Sequence, residues 1–213
     1  MNEIQKCQNC SLCNNQEPLI QTYQSKICST FFVGLSAVQV DCVDSEIPFS
    51  KSTRSGALLR DIAELGNKNG IYFTNVVKCL PLKDDKIRYP TKSEMDSCFP
   101  NFELELSAYN PQKLVLFGRQ VANYVVKRLS ASLDQEQPVD GVAFYSASKL
   151  AIMTAPHPSY MLIYKRKNID WYVSTIREFC SKSVNSRKQA GRPVHQDMLT
   201  KKLEVKSLCP VRS

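Results

Sequence analysis

The sequence predicts an α/β protein built on a largely parallel, doubly wound sheet. Short apolar runs rich in β-branched and aromatic residues alternate with segments whose apolar residues recur at helical spacing. This alternation favours parallel strands joined by crossover helices. The chain has 213 residues, of which 43% are hydrophobic and 23% charged, so its size and composition suit one globular domain with a full core.

The first predicted strand is Thr30-Phe31-Phe32-Val33-Gly34, and its glycine indicates a turn at the strand's carboxyl end. A long loop over residues 35–54 follows, and loops of this length in compact domains are commonly functional. Ser55 is the expected N-cap of the next helix, which Gly66 ends. The apolar face of that helix comprises Leu58, Leu59, Ile62 and Leu65.

The central predicted strand opens with the apolar run Ile71-Tyr72-Phe73 and delivers the polar Asn75 where it should end. In open α/β sheets, ligands bind beyond the carboxyl ends of strands, so Asn75 is placed to contact one. Further on, Thr91-Lys92-Ser93-Glu94 has the spacing of a capping box. The helix that it opens has an inward face of Met95, Cys98, Phe99, Phe102 and Leu106.

The remaining elements continue the alternation. We predict a strand over 113–117 closed by Gly118, a helix over 121–129, an edge strand over 142–145, an internal strand over 150–154 and a last helix over 168–180. A polar surface excursion is expected over 130–140. The internal strand ends in Ala155-Pro156-His157-Pro158-Ser159, a second loop expected at a strand's carboxyl end.

The charge balance is basic, with 28 Lys and Arg against 20 Asp and Glu, a net charge of +8 and a pI of about 9.0. It favours a polyanionic partner, because Lys and Arg neutralise phosphates and release counterions. The alternative is that the charge serves solubility. Residues 182–213 hold eight Lys and Arg against two Asp and Glu, and we expect a solvated tail there, with a phosphate-binding arm as the alternative.

No apolar run approaches the roughly 20 residues that a membrane span needs, and residues 1–6 do not resemble a secretory signal. We therefore expect a cytoplasmic protein without membrane contact. In a reducing compartment, nine cysteines indicate metal or cluster ligation rather than disulfides. Residues 7–13, Cys-Gln-Asn-Cys-Ser-Leu-Cys, hold two overlapping C-x-x-C pairs, a spacing typical of zinc or iron–sulfur ligands.

From Cys7 to Phe179, the chain resembles the family 4 uracil-DNA glycosylases, the iron–sulfur branch of the uracil-DNA glycosylase superfamily. The resemblance implies a single-domain three-layer sandwich over residues 1–181, with a central, mostly parallel four-stranded sheet flanked by helices. Its most specific part is Thr74-Asn75-Val76-Val77-Lys78-Cys79 with Pro81, Pro90, Glu94 and Cys98. The other landmarks are Cys7-x-x-Cys10-Ser-Leu, Pro111-x-Lys113-x-Val115-x-x-Gly118 and His157-Pro158-Ser159.

The resemblance also implies a structural [4Fe–4S] cluster ligated by Cys7, Cys10, Cys79 and Cys98. Cys13 could replace Cys7 under a shifted alignment. Taken alone, Cys98 could equally be a small core residue. Zinc in the same four thiolates is the alternative cofactor.

By the same resemblance, Asn75 reads an extruded base and Phe49 stacks on it, while Gly34, Leu35 and Ser36 complete the base-binding loop. An amide both donates and accepts, so Asn75 can pair with O4 and N3–H of uracil. His157 corresponds to the family's catalytic histidine, which donates to the pyrimidine O2 as negative charge collects there.

In the family, the region after this histidine is a loop that wedges into the duplex where the base leaves. The resemblance therefore implies that Ser159 contacts DNA, that Met161 and Leu162 form the wedge, and that Lys165 and Arg166 contact phosphates.

The clearest departure from the family lies in its first catalytic motif, a glycine–acid–x–proline–glycine loop that helps to place the attacking water. Here the segment is Gly34-Leu35-Ser36-Ala37-Val38, so Leu35 takes the acid's position and the proline and second glycine are absent. Either Ser36 or Asp41 takes over the water, or the loop is reshaped for a larger or modified base.

The sequence therefore predicts a monomeric, monofunctional DNA glycosylase that acts at the nucleoid in base-excision repair. It would flip a pyrimidine, uracil first, out of single- or double-stranded DNA and hydrolyse its N-glycosidic bond to leave an abasic site. One alternative is a glycosylase for a modified pyrimidine, for example in defence against DNA with modified bases. The other is a non-catalytic iron–sulfur DNA-binding protein, because a fold does not carry its function automatically.

Overall fold

The computed structural model describes residues 2–21, 28–66, 70–134 and 140–182. The tail predicted over 182–213 lies outside these ranges except for Lys182, as does the side chain of Leu65, so both remain predictions. No helix within the described ranges is long and apolar enough to cross a membrane.

The described helices and strands alternate as the apolar periodicity predicts. In chain order they are α1 (Asn2–Gln5), β1 (Thr30–Ser36), α2 (Arg54–Gly66), β2 (Ile71–Val77), β3 (Leu82–Lys83), β4 (Lys86–Ile87), α3 (Lys92–Tyr109), β5 (Lys113–Phe117), α4 (Arg119–Arg128), β6 (Ser132–Leu133), β7 (Ala143–Ala147), β8 (Leu150–Ala155), α5 (Pro158–Tyr164) and α6 (Ile169–Ser181).

One sheet of six strands forms the centre, in the order β2-β1-β5-β8-β7-β6. The first four strands are parallel, as predicted, and β7 and β6 continue the sheet in antiparallel pairing. The predicted count of four strands is thus too low. A tight turn at residues 148–149 folds β7 onto β8, and β6 forms within the stretch predicted as a surface excursion.

Two apolar cores lie on opposite faces of the sheet, because successive side chains of a strand point to opposite sides. Phe32, Phe73, Val115 and Met153 pack with α2, α5 and α6 on one face, which we call the first core. Their strand neighbours Phe31, Tyr72, Leu114 and Ile152 pack with α3 and α4 on the other, the second core. The three-layer α/β sandwich is therefore confirmed.

Three boundaries differ from the prediction. Strand β1 continues past Gly34 to Ser36, because its ladder with β2 extends to the pair Ser36–Val77. Helix α2 begins at Arg54, and Thr53 rather than Ser55 caps it by accepting from Gly56 N–H at 3.0 Å. The predicted capping box of α3 is confirmed, with Thr91 and Glu94 each accepting from the other's backbone N–H.

Candidate active site

The predicted site residues meet at the carboxyl edge of the four parallel strands. Asn75 lies near the end of β2, Gly34 near the end of β1, Gly118 directly after β5 and His157 two residues after β8. These strands are consecutive neighbours in the sheet, so the four residues form one row across its edge. This edge is where open α/β sheets bind their ligands.

Gly34 allows two of the predicted base-binding side chains to converge. A Cβ atom on Gly34 would lie 2.2 Å from Asn75 Oδ1 and 2.6 Å from Phe49 Cζ, well inside van der Waals contact. The missing side chain of Gly34 therefore leaves the space in which the amide of Asn75 and the ring of Phe49 approach each other. A planar base bound beside these two side chains would meet an aromatic ring and an amide together.

Phe49 is held at its ring by the first core and at its backbone by an arginine. Its centroid lies 6.2 Å from that of Phe73 and 6.0 Å from that of Phe117. Arg60 on α2 donates from Nε to Phe49 O at 3.0 Å and from its terminal nitrogen to Pro48 O at 2.7 Å. These bonds stabilise a turn in which Phe49 has a left-handed φ of 56°.

His157 is half-buried and its tautomer follows from its hydrogen bonds. It is the N-cap of α5, and Ser159 N–H donates to its Nδ1 at 3.3 Å. The Ser159 hydroxyl also lies 2.8 Å from Nδ1. Because Nδ1 accepts, the proton of the neutral ring is on Nε2. Burial lowers the pKa of His157 below its ordinary value, which favours this neutral form.

The segment that departs from the family's first motif is divided between the two faces of the sheet. Leu35 packs against the second core, on the face opposite to Phe32 and Asn75. Alternation along β1 puts half-buried Ser36 on the same face as Gly34. Asp41, the other predicted water-placing residue, is exposed. Leu35 therefore does not line the space above Gly34, contrary to its predicted role in base binding.

Residues 158–164, predicted as a wedging loop, form helix α5. Met161 is only 2% exposed and packs in the first core, so the prediction that its side chain wedges into DNA is wrong. Leu162 is half-buried, and Lys165 and Arg166 are exposed as predicted. The prominent apolar side chains of this helix are Tyr160, Ile163 and Tyr164, which are 45%, 59% and 71% exposed.

The four cysteines of the predicted cluster converge beside α3. The side-chain N–H of Asn101 reaches Cys7 Sγ at 3.2 Å and Cys98 Sγ at 3.8 Å, although these cysteines are far apart in sequence. Burial, together with the neighbouring sulfurs of Cys98, Cys10, Cys7 and Cys13, raises the pKa of Cys79 to about 12. These four sulfurs are thus within electrostatic reach of Cys79.

All the cysteines in the described ranges are free thiols. Within these ranges, no group of three or more His, Cys, Asp or Glu side chains has the geometry to hold a single metal ion as it stands.

A family model described as the uracil DNA glycosylase superfamily matches residues 30–180, which include every parallel strand and the row of site residues. The chain belongs to this superfamily. The type-4 uracil-DNA glycosylase of Archaeoglobus fulgidus is 25% identical over 188 residues, covering 84% of this chain and 91% of that protein. The type-4 enzyme of Sulfurisphaera tokodaii is 23% identical over 108 residues, covering 49% and 47% respectively. The predicted resemblance to family 4 is confirmed by these relatives.

Among solved structures, the wild-type SMUG2 protein of Pedobacter heparinus aligns with a TM-score of 0.49 and 12% identity, over 71% of this chain and 74% of that chain.

Two features of this superfamily member escaped sequence reasoning. Arg60 sits on the partly apolar face of α2, and no motif signals that its guanidinium turns back to bind the loop before the helix. The second is the bond to His157 made by Ser159, whose predicted contact with DNA stays a prediction. The serine two residues after an N-capping histidine is a local signal that could have indicated it.

Proposed function

We propose that this protein is a uracil-DNA glycosylase that hydrolyses the N-glycosidic bond of an extruded uracil and leaves an abasic site. The observation that carries the proposal is the convergence of Asn75 and Phe49 over Gly34, in one row with His157. The type-4 uracil-DNA glycosylases among the relatives support the same substrate. Extrusion is required because the bond to be broken is inaccessible while the base is stacked.

Recognition of the base falls to Asn75 and Phe49. The amide of Asn75 donates to O4 of uracil and accepts from N3–H, which are complementary to uracil and not to cytosine. The partly exposed ring of Phe49 stacks on the base, and it costs little to order because the first core and Arg60 already hold it.

The departing base develops negative charge on O2, and His157 supplies the donor that stabilises it. Its Nε2–H is free of the hydrogen bonds that Ser159 makes with Nδ1. A neutral donor that is held in place before the reaction stabilises the charge without reorganising. Removal of one such donor typically costs a factor of about 10² to 10³ in rate.

The attacking water is assigned to Ser36. It shares a face of the sheet with Gly34 and Asn75, whereas Leu35 faces the second core and Asp41 is exposed. A hydroxyl can orient a water but is a poor base, so we expect a slower hydrolysis than a carboxylate would support. Ser36→Ala should therefore lower the rate, and Asp41→Asn should leave it unchanged.

The enzyme is monofunctional in this proposal. A lyase step needs an amine nucleophile in the site, and Lys78 is the lysine nearest to Asn75 in sequence. Its ammonium group is fully buried and held by three oxygens. We therefore expect strands to break at the abasic site only after alkaline treatment.

A [4Fe–4S] cluster in Cys7, Cys10, Cys79 and Cys98 is the proposed cofactor. These residues fit it because their sulfurs lie together and two N–H donors, from Asn101 and from the Lys78 backbone, already point at them. The cluster would tie residues 7–13 to the segment after β2 and to α3. A brown protein with iron–sulfur charge-transfer absorption supports it, whereas stoichiometric zinc in a colourless protein contradicts it.

DNA binding is assigned to the exposed side of α5 and the residues after it. Ile163 and Tyr164 take the wedging role predicted for Met161, and Lys165 and Arg166 lie beside them to neutralise phosphates.

A glycosylase acting on a modified pyrimidine is the second candidate, favoured by the divergent segment 34–38. One assay separates the possibilities: labelled oligonucleotides with uracil or modified pyrimidines, single- and double-stranded, incubated with wild type, Asn75→Ala and His157→Ala. We expect uracil release that both variants lose. Release of a modified base alone would replace uracil as the substrate. Tight DNA binding without any release would show a non-catalytic DNA-binding protein.

A further inference from the structure

A buried ion pair lies directly beside the backbone of Asn75. Lys78, just after β2, and Glu105 on α3 are both 0% exposed, and Nζ lies 2.6 Å from Glu105 Oε2. Burial of two charges is costly unless every donor and acceptor finds a partner. Lys78 Nζ uses its three protons on Glu105 Oε2, Thr74 Oγ1 and the carbonyl of Asn75, each at 2.6 Å.

The carboxylate of Glu105 completes the network. It accepts from Tyr72 OH at 3.0 Å on one oxygen and from Thr74 Oγ1 at 2.8 Å on the other. The pair therefore connects α3 to three positions of β2, at residues 72, 74 and 75. The network therefore connects strand β2 rigidly to helix α3.

Asn75 needs such a connection because β2 is the edge strand of the sheet. An edge strand has β-ladder partners on one side only, so part of its backbone lacks them. The Lys78 ammonium group supplies a partner for the Asn75 carbonyl. Anchoring this carbonyl restrains the backbone of Asn75 and, with it, the direction in which its amide points.

Stability alone does not account for the pair. Replacement of a buried ion pair by apolar residues of similar volume is often neutral or stabilising. What apolar residues cannot supply is a donor to the Asn75 carbonyl. The backbone of Lys78 is itself held on two sides, since its N–H donates to Cys98 Sγ at 3.3 Å and its carbonyl accepts from Leu19 N–H at 2.8 Å.

We propose that Lys78 and Glu105 are positioning residues for Asn75, and that the pair sets how selectively the amide reads the base. This inference rests on the proposed function, in which Asn75 reads uracil. Neither residue touches the base, and both act through the backbone of Asn75.

A double-mutant cycle tests the proposal in the full-length protein. Lys78→Met with Glu105→Gln removes both charges and keeps one side-chain oxygen, which can accept from Tyr72 or from Thr74. We expect kcat for uracil release to fall on the order of 10²-fold, as for small misplacements of a reacting group, with little change in KM. Selectivity for uracil over cytosine should fall with it. Adding Asn75→Ala to this variant should then lower kcat by a much smaller factor than it does in wild type, because the amide is already misplaced.

Lys113→Met is the matched control. Lys113 is a second buried lysine, at the opposite, amino end of β5, where its Nζ donates to the carbonyls of Cys180 and Lys182. Its replacement should lower the melting temperature and leave selectivity for uracil over cytosine unchanged. Asn75→Ala should lower kcat by the same factor in Lys113→Met as in wild type. If Lys78→Met with Glu105→Gln does not fold, the fully apolar replacement Lys78→Met with Glu105→Met carries the same cycle, because it also removes the donor to the Asn75 carbonyl.

Hydrogen–deuterium exchange provides a readout independent of activity. The peptide covering β2 should exchange faster in the Lys78–Glu105 variant and at the wild-type rate in Lys113→Met. Unchanged exchange in β2, or full additivity with Asn75→Ala, would overturn the inference. Absence of uracil release by the wild type would instead overturn the proposed function, and the exchange data would still decide whether the pair anchors β2.

Discussion

At the scale of single residues, the role of His157 as a donor depends on the protonation state that its burial favours. The burial-lowered pKa lies below the ordinary 6.5, so the ring stays neutral down to a lower pH than a free histidine. A neutral Nε2–H donor predicts a rate that is constant from pH 8 through 6.5. The rate falls only below the lowered pKa, where a proton on Nδ1 abolishes the bond from Ser159 N–H that orients the ring. Measurement of single-turnover uracil release against pH checks this, and a rate that rises on acidification would indicate an imidazolium donor.

The same pKa shift has a consequence for stability. Below about pH 6.5 the unfolded chain binds a proton on this histidine that the folded chain does not, so stability is lost as pH falls through that value. His157→Gln keeps a side-chain N–H donor and cannot take up this proton. Its melting temperature should therefore decline less than that of wild type between pH 7.5 and 5.5.

Gly34→Ala is expected to damage the site more than the fold. The added Cβ would overlap Asn75 Oδ1 and the ring of Phe49, both of which would have to move. Because such displacements cost on the order of 10²-fold in rate, we expect a loss of that size in kcat/KM. Ser36→Thr, on the same face of β1, adds bulk but keeps the hydroxyl, and is the comparison. Wild-type activity in Gly34→Ala would show that the base binds elsewhere.

At the scale of elements, α2 holds the turn that carries Phe49. Arg60→Lys keeps the charge but cannot make both bonds of the guanidinium, to Pro48 O and Phe49 O, nor cover the Phe73 ring from 3.7 Å. We expect a higher KM for uracil-containing DNA, on the order of tenfold, because the free enzyme must then order the turn on binding. Steady-state kinetics with Phe49→Leu as reference measure this, and an unchanged KM would contradict it.

Helix α5 separates a packing role from a binding role at neighbouring positions. Met161→Ala removes a side chain from the first core and should cost about 2–5 kcal/mol of the free energy of unfolding. Ile163→Ala, at a largely exposed position, should stay within about 0.5 kcal/mol. Urea unfolding gives both values. Uracil release from duplex DNA should fall in Ile163→Ala, and release from single strands should fall less, since a single strand needs no wedge.

At the scale of the whole molecule, the excess of positive charge predicts how salt affects DNA binding. Replacing Lys165 and Arg166 together with alanine should flatten the slope of log affinity against log salt concentration by about 1.8, if each contacts one phosphate of duplex DNA. The rate of the bound complex should not change. Lys127→Ala, exposed near the end of α4 and so near the opposite edge of the sheet, is the control. Equal slopes for both variants would place the DNA elsewhere.

The local pattern alone determined much of this protein. Short continuous apolar runs specified the four parallel strands, and the capping box specified where α3 begins. Asn75 and His157 were identifiable because each follows an apolar run that must be a buried strand. A local pattern suffices for such features, because neighbours in sequence decide which face a residue occupies.

Tertiary structure decided the features that depend on contacts between distant segments. Strand β1 runs on to Ser36 because β2 pairs with it, and this turns Leu35 away from the site. Met161 is buried because α5 packs against α2, although Tyr160 before it is exposed and Leu162 after it is only half-buried. The bonds from Arg60 to the Phe49 turn and from Lys78 to Glu105 join separate segments. No sequence period encodes such contacts, because their energy exists only once the layers have assembled.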